Sequence, residues 1–168
     1  EPPFDETIRA TSHSFFAMFD VPFLYGGPWD PRADDDHASI AVIGRELNDK
    51  LFGGENSVGR RIRLDDGYFD IVGVIDDWQP TPRFYHVDAG GSFADTEQVF
   101  IPLLRAVDVP MGPRGNTNCW APLDESLPTL QAFLQSECVW TQFWVELESP
   151  AQASAYRDYL DNYAREQQ

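Results

Sequence analysis

The residues able to do chemistry are scattered through the chain. Asp34, Asp35 and Asp36 precede His37. Hard carboxylate oxygens in such a run suit calcium, but the Asp-x-Asp-x-Asp-Gly spacing and its closing Glu are missing. The run therefore reads as a solvated acidic loop. His13, His37 and His86 stand far apart in sequence. None forms the His-x-x-x-His spacing that places two imidazoles on one helix face, and no Cys-x-x-Cys pair joins them. Gly91-Ser92 runs on into Phe93-Ala94-Asp95, so the glycine that closes a serine nucleophile elbow is lacking. Glycoside hydrolysis needs two carboxylates across a cleft, and among 28 acidic residues such pairs arise by chance. No metal site and no catalytic set emerges. A hydrolase remains as an alternative that would require a deep pocket with convergent acid and base groups.

Composition narrows the partners. Twelve Lys and Arg stand against 28 Asp and Glu, a net charge of −16. Nucleic-acid binding depends on cationic side chains neutralising phosphates, so that class is excluded. Docking on an anionic lipid surface is disfavoured for the same reason. Hydrophobic residues make up 42% and aromatic residues 14%, enough for a core and against disorder. A length of 168 residues suits one domain, or one domain of two lobes. No stretch approaches the roughly 18 apolar residues that span a bilayer. The chain opens at Glu1 without an initiator Met or signal peptide, which reads as a mature or excised form. Cys119 and Cys138 are the two cysteines. They can form a bridge or remain buried reduced thiols.

The elements follow from periodicity and punctuation. Ile8 to Ala10 reads as a short strand. Thr11 or Ser12 can cap a helix through Phe15, Phe16 and Phe19, stopped by Pro22. Gly26-Gly27-Pro28 marks a turn. Ile40 to Ile43 reads as a buried strand, followed by a helix over Arg45 to Phe52 that ends at Gly53-Gly54. Arg60 to Leu64 and Phe69 to Ile75 read as a hairpin around Asp65-Asp66-Gly67, where Asp-Gly readily takes positive φ. Val99 to Ile101 is a further strand, ended by Pro102. Val107 to Pro122 reads as an irregular loop, and Leu127 to Glu137 as a helix. Cys138 to Leu147 is rich in Val, Trp and Phe and reads as a strand. Ser149 and Pro150 then start a last helix, in which Tyr156, Tyr159, Leu160 and Tyr163 should face the sheet. Hairpins mixed with strand–helix units predict an α+β fold.

Gly54, Gly59, Gly67 and Gly73 read as structural turn positions. Gly59 supplies a backbone angle or close approach that a side chain forbids. Gly73 interrupts a strand, which predicts a bulge or tight packing. Trp78, Phe84, Tyr85 and Trp120 are candidates for an exposed aromatic patch that meets a partner or an apolar substrate. Core packing is the competing reading for the same rings.

One ordered set of segments carries more information than the rest. Ile40 to Ile43 is followed by Leu51-Phe52-Gly53-Gly54-Glu55-Asn56-Ser57-Val58-Gly59-Arg60-Arg61-Ile62, and then by Phe69-Asp70-Ile71-Val72-Gly73-Val74-Ile75. This resembles the MacB-like periplasmic core domain of MacB- and FtsX-type permeases. That family carries Leu-Phe-x-Gly-x-x-x-x-Gly-x-x-Ile followed by a Phe-x-Val-Val-Gly-Val strand. Ile71 stands where the pattern has Val. Upstream, Ser14 to Phe19 followed by Gly26-Gly27 resembles the family's aromatic helix and Gly-Arg turn, with Gly27 in place of Arg. Downstream, Val99-Phe100-Ile101-Pro102-Leu103 resembles its Tyr-Ile-Pro strand end. The resemblance covers most of Thr11 to Ile101 and continues more weakly beyond.

The resemblance implies a β-rich inserted lobe over residues 11–138. Residues 139–168 would be the return strand and helix of a partial α/β membrane-proximal lobe. It implies a domain without catalysis of its own, on the periplasmic side of a bacterial inner-membrane permease. Such a domain transmits ATP-driven motion to a periplasmic adaptor or an exported substrate. Its partners would be the membrane helices of the same full-length permease and a cytoplasmic ATPase, in a dimeric assembly. No cofactor is expected on this chain. ATP would sit on a separate nucleotide-binding subunit or domain, in keeping with the lack of a Gly-x-x-x-x-Gly-Lys-[Ser/Thr] loop here. An oxidising periplasm favours a Cys119–Cys138 bridge, worth about 3 kcal/mol for a loop of this size. A free periplasmic ligand-binding or scaffolding module is the alternative from another class.

Overall fold

The computed structural model describes residues 5–86, 92–109, 111, 118–119, 134–136, 138–139 and 141–166. Short apolar runs pair into one six-stranded mixed sheet, and they are continuous over Ile40–Gly44 and Val99–Pro102 at its centre, where both faces are buried. The elements are β1 (Ile8–Thr11), α1 (Ser14–Met18), β2 (Phe23–Gly26), α2 (Pro31–Asp35), β3 (Ile40–Gly44), α3 (Arg45–Phe52), β4 (Arg61–Leu64), β5 (Gly67–Ile75), β6 (Val99–Pro102) and α4 (Leu103–Asp108). A two-stranded sheet, β7 (Asn118–Cys119) with β8 (Cys138–Val139), and helix α5 (Pro150–Glu166) complete the described elements. Helices and a mixed sheet make this an α+β fold.

The sheet runs β1-β6-β3-β5-β2, with β4 also beside β5. β1 is parallel to β6, and β3 is parallel to β5. The remaining contacts, β3 with β6 and β5 with β2 and β4, are antiparallel. Helices α3 and α4 close one face over Ala41, Ile43, Leu47, Phe69, Ile71, Val74, Val99, Ile101 and Ala106. The opposite face holds Val42, Ile75 and Phe100 under Phe15, Phe16, Trp29 and Tyr85. Successive residues of a strand point to opposite faces, so Val99, Phe100 and Ile101 serve the two cores in turn.

β5 breaks that alternation once. Ala41 lies opposite Ile71 and Val42 opposite Gly73, so the register slips by one residue there. A bulge of this kind moves every later side chain to the other face. A Cβ on Gly73 would strike the Gly27 carbonyl oxygen and lie 2.8 Å from Phe23 Cε1. The bare glycine thus lets the β2 turn close onto the bulge. Gly59 answers a different demand: nothing lies within 4 Å of its side-chain position, but its φ is +84°. Its N–H donates to the Ile71 carbonyl at 2.8 Å, which holds the α3–β4 connection against β5. Buried Asn48 donates to the Glu55 carbonyl at 3.0 Å and accepts from the Ser57 hydroxyl, locking the same connection to α3.

Several expectations need correction. α1 has His13 at its N-cap position with no side-chain cap, instead of Thr11 or Ser12. β2 occupies the stretch read only as a helix stop and turn. α2 occupies the acidic run read as a loop, with Asp30 accepting from Arg32 N and Pro31 opening the helix. α4 takes in Val107 and Asp108, the start of the expected irregular loop. In the hairpin the positive φ falls on Asp65, at 51°, instead of on Gly67, which begins β5. Of the strand expected over Cys138 to Leu147, only Cys138–Val139 pairs; the described residues 141–147 form no strand. Helix α5 begins at Pro150 as expected, with Gln152 N donating to Ser149 Oγ at 3.3 Å. It buries no residue, so its tyrosine stripe does not pack on the sheet. The expected helix over Leu127 to Glu137 and the residue Trp120 lie largely or wholly outside the described residues.

Candidate functional site

The polar centre of the molecule forms where the start of the sheet meets the segment leading into β6. Glu97 is 5% exposed. It accepts from Arg9 Nη2 at 2.7 Å, from Arg83 Nη1 at 3.1 Å and from the Tyr85 hydroxyl at 2.9 Å. Arg83 Nη1 also donates to the Asp95 carbonyl at 2.9 Å. Arg9 lies over the Tyr85 ring at 4.8 Å and donates to His86 Nδ1 at 2.7 Å. A guanidinium has no acceptor, so that imidazole nitrogen carries no proton in this arrangement. Burial alone pushes the Glu97 carboxyl up, but the Arg9 hydrogen bond and charge outweigh it and hold the group below its ordinary value. Burial, with the Glu97 charge second, pushes the Tyr85 hydroxyl up to about 12.

An aromatic layer covers this network. Trp78 stacks on Tyr85 at 5.1 Å, and Phe15 meets both rings edge-on. Phe19, at the end of α1, touches Phe84 at 5.6 Å and Trp144 at 5.8 Å. The Trp144 indole N–H donates to the Tyr85 carbonyl at 3.2 Å, tying the C-terminal segment to this layer. The four aromatic candidates therefore separate. Tyr85 is fully buried and Trp78 is half-buried against it, so both pack the core; Phe84 is 50% exposed. Trp120 lies outside the described residues. Half-buried Phe19 and exposed Trp144 were not among the candidates. Their positions in sequence gave no signal, because the contact joins segments far apart in the chain.

A half-open cleft of about 370 Å³ lies at the C-terminal ends of the parallel strands β3 and β5, lined by Arg45, Glu46, Asp49, Asp76, Asp77, Trp78 and Glu97 among others. Arg45 pairs with Asp76 at 2.9 Å. General acid–base work wants a group whose pKa lies near the operating pH. Glu97 is held in the opposite direction and is saturated with donors. The lining contains no His, Cys, Ser or Lys. The titratable side chains it does present besides Arg45 and Glu97 are the carboxylates Glu46, Asp49, Asp76 and Asp77, with Asp76 paired to Arg45.

The histidines and the acidic run have structural partners. Asp34 accepts from His13 N at 2.9 Å, from the Trp29 indole at 2.7 Å, and lies 2.8 Å from His13 Nδ1. It is thus a clamp between α1 and buried Trp29, where a solvated loop was expected. His37 Nδ1 meets Asp108 at 2.6 Å. Among the described residues no group of three His, Cys, Asp or Glu is placed to hold a metal ion. Of the turn glycines, Gly53 and Gly54 close α3 with positive φ. Cys119 lies directly opposite Cys138 in the β7–β8 register. No helix among the described residues is long and apolar enough to cross a membrane.

Known proteins share this sequence pattern. The macrolide export ATP-binding/permease protein MacB of Syntrophobacter fumaroxidans is 29% identical over 68 residues, 40% of this chain and 10% of that protein. The pyoverdine export ATP-binding/permease protein PvdT of Pseudomonas aeruginosa is likewise 29% identical over 68 residues. The match thus spans about a tenth of these relatives' length. Among solved structures, the periplasmic region of MacB from Actinobacillus actinomycetemcomitans aligns at a TM-score of 0.46 and 14% identity, covering 60% of this chain and 39% of that one. A domain of a putative permease protein from Porphyromonas gingivalis aligns at 0.43 and 17% identity, covering 62% and 39%. The MacB-like periplasmic core domain family matches residues 2–163, nearly the whole chain, and this protein belongs to that family.

Proposed function

We propose that this chain is the periplasmic part of an ABC-transporter permease. It acts without catalysis of its own and passes ATP-driven conformational change to a periplasmic partner or an exported substrate. Family membership over residues 2–163 carries this reading. The saturated Glu97 network supports it, because a buried set of paired charges stiffens a domain and offers no free base. Membrane helices of the same polypeptide and a cytoplasmic ATPase are its partners, and the full-length protein works as a dimer. ATP binds on the ATPase, and this domain holds no cofactor. Sequencing the coding region on both sides and scoring its hydropathy tests the assignment. One spanning segment upstream and three downstream are expected. A signal peptide upstream with a stop codon just downstream would refute it and leave a free periplasmic module.

The same compartment favours a Cys119–Cys138 bridge. Directly opposed residues of an antiparallel pair have Cα atoms about 4.5–5.5 Å apart, inside the range a disulfide requires. The β7–β8 register supplies that opposition. Titration of the unfolded, unreduced chain should find no reactive thiol, and two would overturn the bridge.

A further inference from the structure

Exposed Phe84 and Trp144, with half-buried Phe19 between them, form an apolar ridge flanked in sequence by one sign of charge. Phe84 is 50% exposed and Trp144 43%, and each lies against Phe19 from its own side. Asp20 follows Phe19 directly and is exposed; Glu146 is exposed two positions beyond Trp144. The nearby cations are turned inward. Arg83 is buried against Glu97, and Arg9 is spent on Glu97 and His86. Among the described residues flanking the ridge in sequence, the exposed charge is thus carboxylate, on a chain whose net charge is −16.

We infer that this ridge is a docking surface for a basic, amphipathic segment of a partner protein. Its apolar side chains would cover Phe84 and Trp144, and its Lys or Arg residues would meet Asp20 and Glu146. Exposed aromatic rings with a polar rim are the anatomy of an interface anchor. An acidic rim selects the sign of the partner and speeds its encounter. Two segments far apart in the chain, the one at Phe84 and the one at Trp144, are joined beneath the ridge by the Trp144 bond to the Tyr85 carbonyl. The surface is therefore preformed. This inference rests on the reading of the domain as the part of a permease that meets a periplasmic partner. Its test uses the 168-residue chain alone, so it can fail while the flanking-sequence test succeeds.

The probe is a dye-labelled helical peptide of about 18 residues, with Leu and Phe on one face and Lys on the other. Two controls share its length: a scramble of the same composition, and a version with Glu for Lys. Fluorescence anisotropy should show binding of the Lys amphipath at physiological salt. Phe84→Ser should weaken it about tenfold with the melting temperature unchanged, as for an anchor residue, and Phe84→Leu should restore it. Asp20→Asn, which tolerates the positive φ at that position, and Glu146→Gln should each weaken it several-fold. The scramble should bind wild type no better than the amphipath binds Phe84→Ser. Equal binding to wild type and Phe84→Ser would overturn the inference, because charge attraction alone would then explain it. Equal binding of the Glu peptide would overturn it as well. So would concentration-dependent dimerisation abolished by Phe84→Ser, which would make a second copy the occupant, or binding to zwitterionic vesicles abolished by it, which would make the occupant a lipid.

Discussion

Replacing Glu97 by Gln keeps the shape of the side chain and removes its charge. Two guanidinium groups then lose their shared counterion. The Arg83 and Glu97 side chains are 8% and 4% exposed, while Arg9 at 18% retains some access to water. Removing one partner of a buried ion pair costs about 3–5 kcal/mol, because the charge left behind is uncompensated. The partial exposure of Arg9 places Glu97→Gln near the lower end, about 3 kcal/mol. With a urea m-value of about 1–3 kcal/mol/M, the unfolding midpoint should fall by about 1–3 M. Apolar replacement of Glu97, Arg9 and Arg83 together should recover much of the loss, because it also removes the desolvation cost of the charges. A Glu97→Gln loss below about 0.5 kcal/mol, the scale of surface substitutions, would refute the reasoning. The pH dependence follows from the same contacts. Glu97 in the fold titrates below its ordinary 4.5, so in acid the unfolded chain takes up a proton first. The stabilisation is therefore complete above that ordinary value and is lost as pH falls through the folded value beneath it. Glu97→Gln should flatten this part of the acid unfolding curve.

The base limb should show Tyr85. Its hydroxyl titrates near 12 in the fold against 10.0 ordinarily, so its stabilisation is full below 10.0 and fades as pH rises toward 12. Tyr85→Phe should remove that step from a spectrophotometric titration. Trp78→Ala should cost about 2 kcal/mol through the lost stack on Tyr85, whereas Phe84→Ala should stay within about 0.5 kcal/mol; equal melting temperatures would contradict the assignment of one ring to the core and the other to the surface. Gly73→Ala should cost more than Gly59→Ala in chemical denaturation. The first meets the Gly27 carbonyl and Phe23, while the second pays only for its positive φ, about 1 kcal/mol. The reverse order would refute the bulge argument.

The central sheet was legible because its signals are local. The apolar run Ile40 to Ile43, the glycines that stop α3 and the Asp65-Asp66 turn each act within a few residues, and β3, α3, β4 and β5 appear where those signals stand. Elements were missed where two local signals competed. Asp30-Pro31 starts α2 by the same device as Ser149-Pro150 starts α5, a capping side chain before a first-turn proline. The three carboxylates that follow Asp30 read as solvated loop and masked it. β2 was hidden in a similar way, since Pro22 and Gly26-Gly27 flank a four-residue strand so closely that the punctuation overwhelms it. The buried Arg9–Glu97 contact and the Phe19–Trp144 contact could not be read at all. They join positions separated by most of the chain, and no periodicity within an element encodes which distant residue will meet another.

Helix α5 marks the limit of the periodic argument. Tyr156, Tyr159 and Tyr163 do line one stripe, with successive rings stacked at 6.1 and 6.5 Å. The spacing predicted that stripe correctly. It also led to the expectation that the stripe faces the sheet, and that step does not follow. A 3.6-residue period says which side chains share a face; it says nothing about what covers the face. In most proteins the stability of a helix comes chiefly from packing such a face. Among the described residues, α5 is supported by its own devices: the Ser149 cap, the Gln152 side chain accepting from Glu148 N at 2.7 Å, and the tyrosine row. The sheet, by contrast, has both faces filled by its own chain. The family resemblance was carried by the sheet segments, whose sequence and packing are complete within one another, and it weakened toward the helix, whose pattern is only half of a contact.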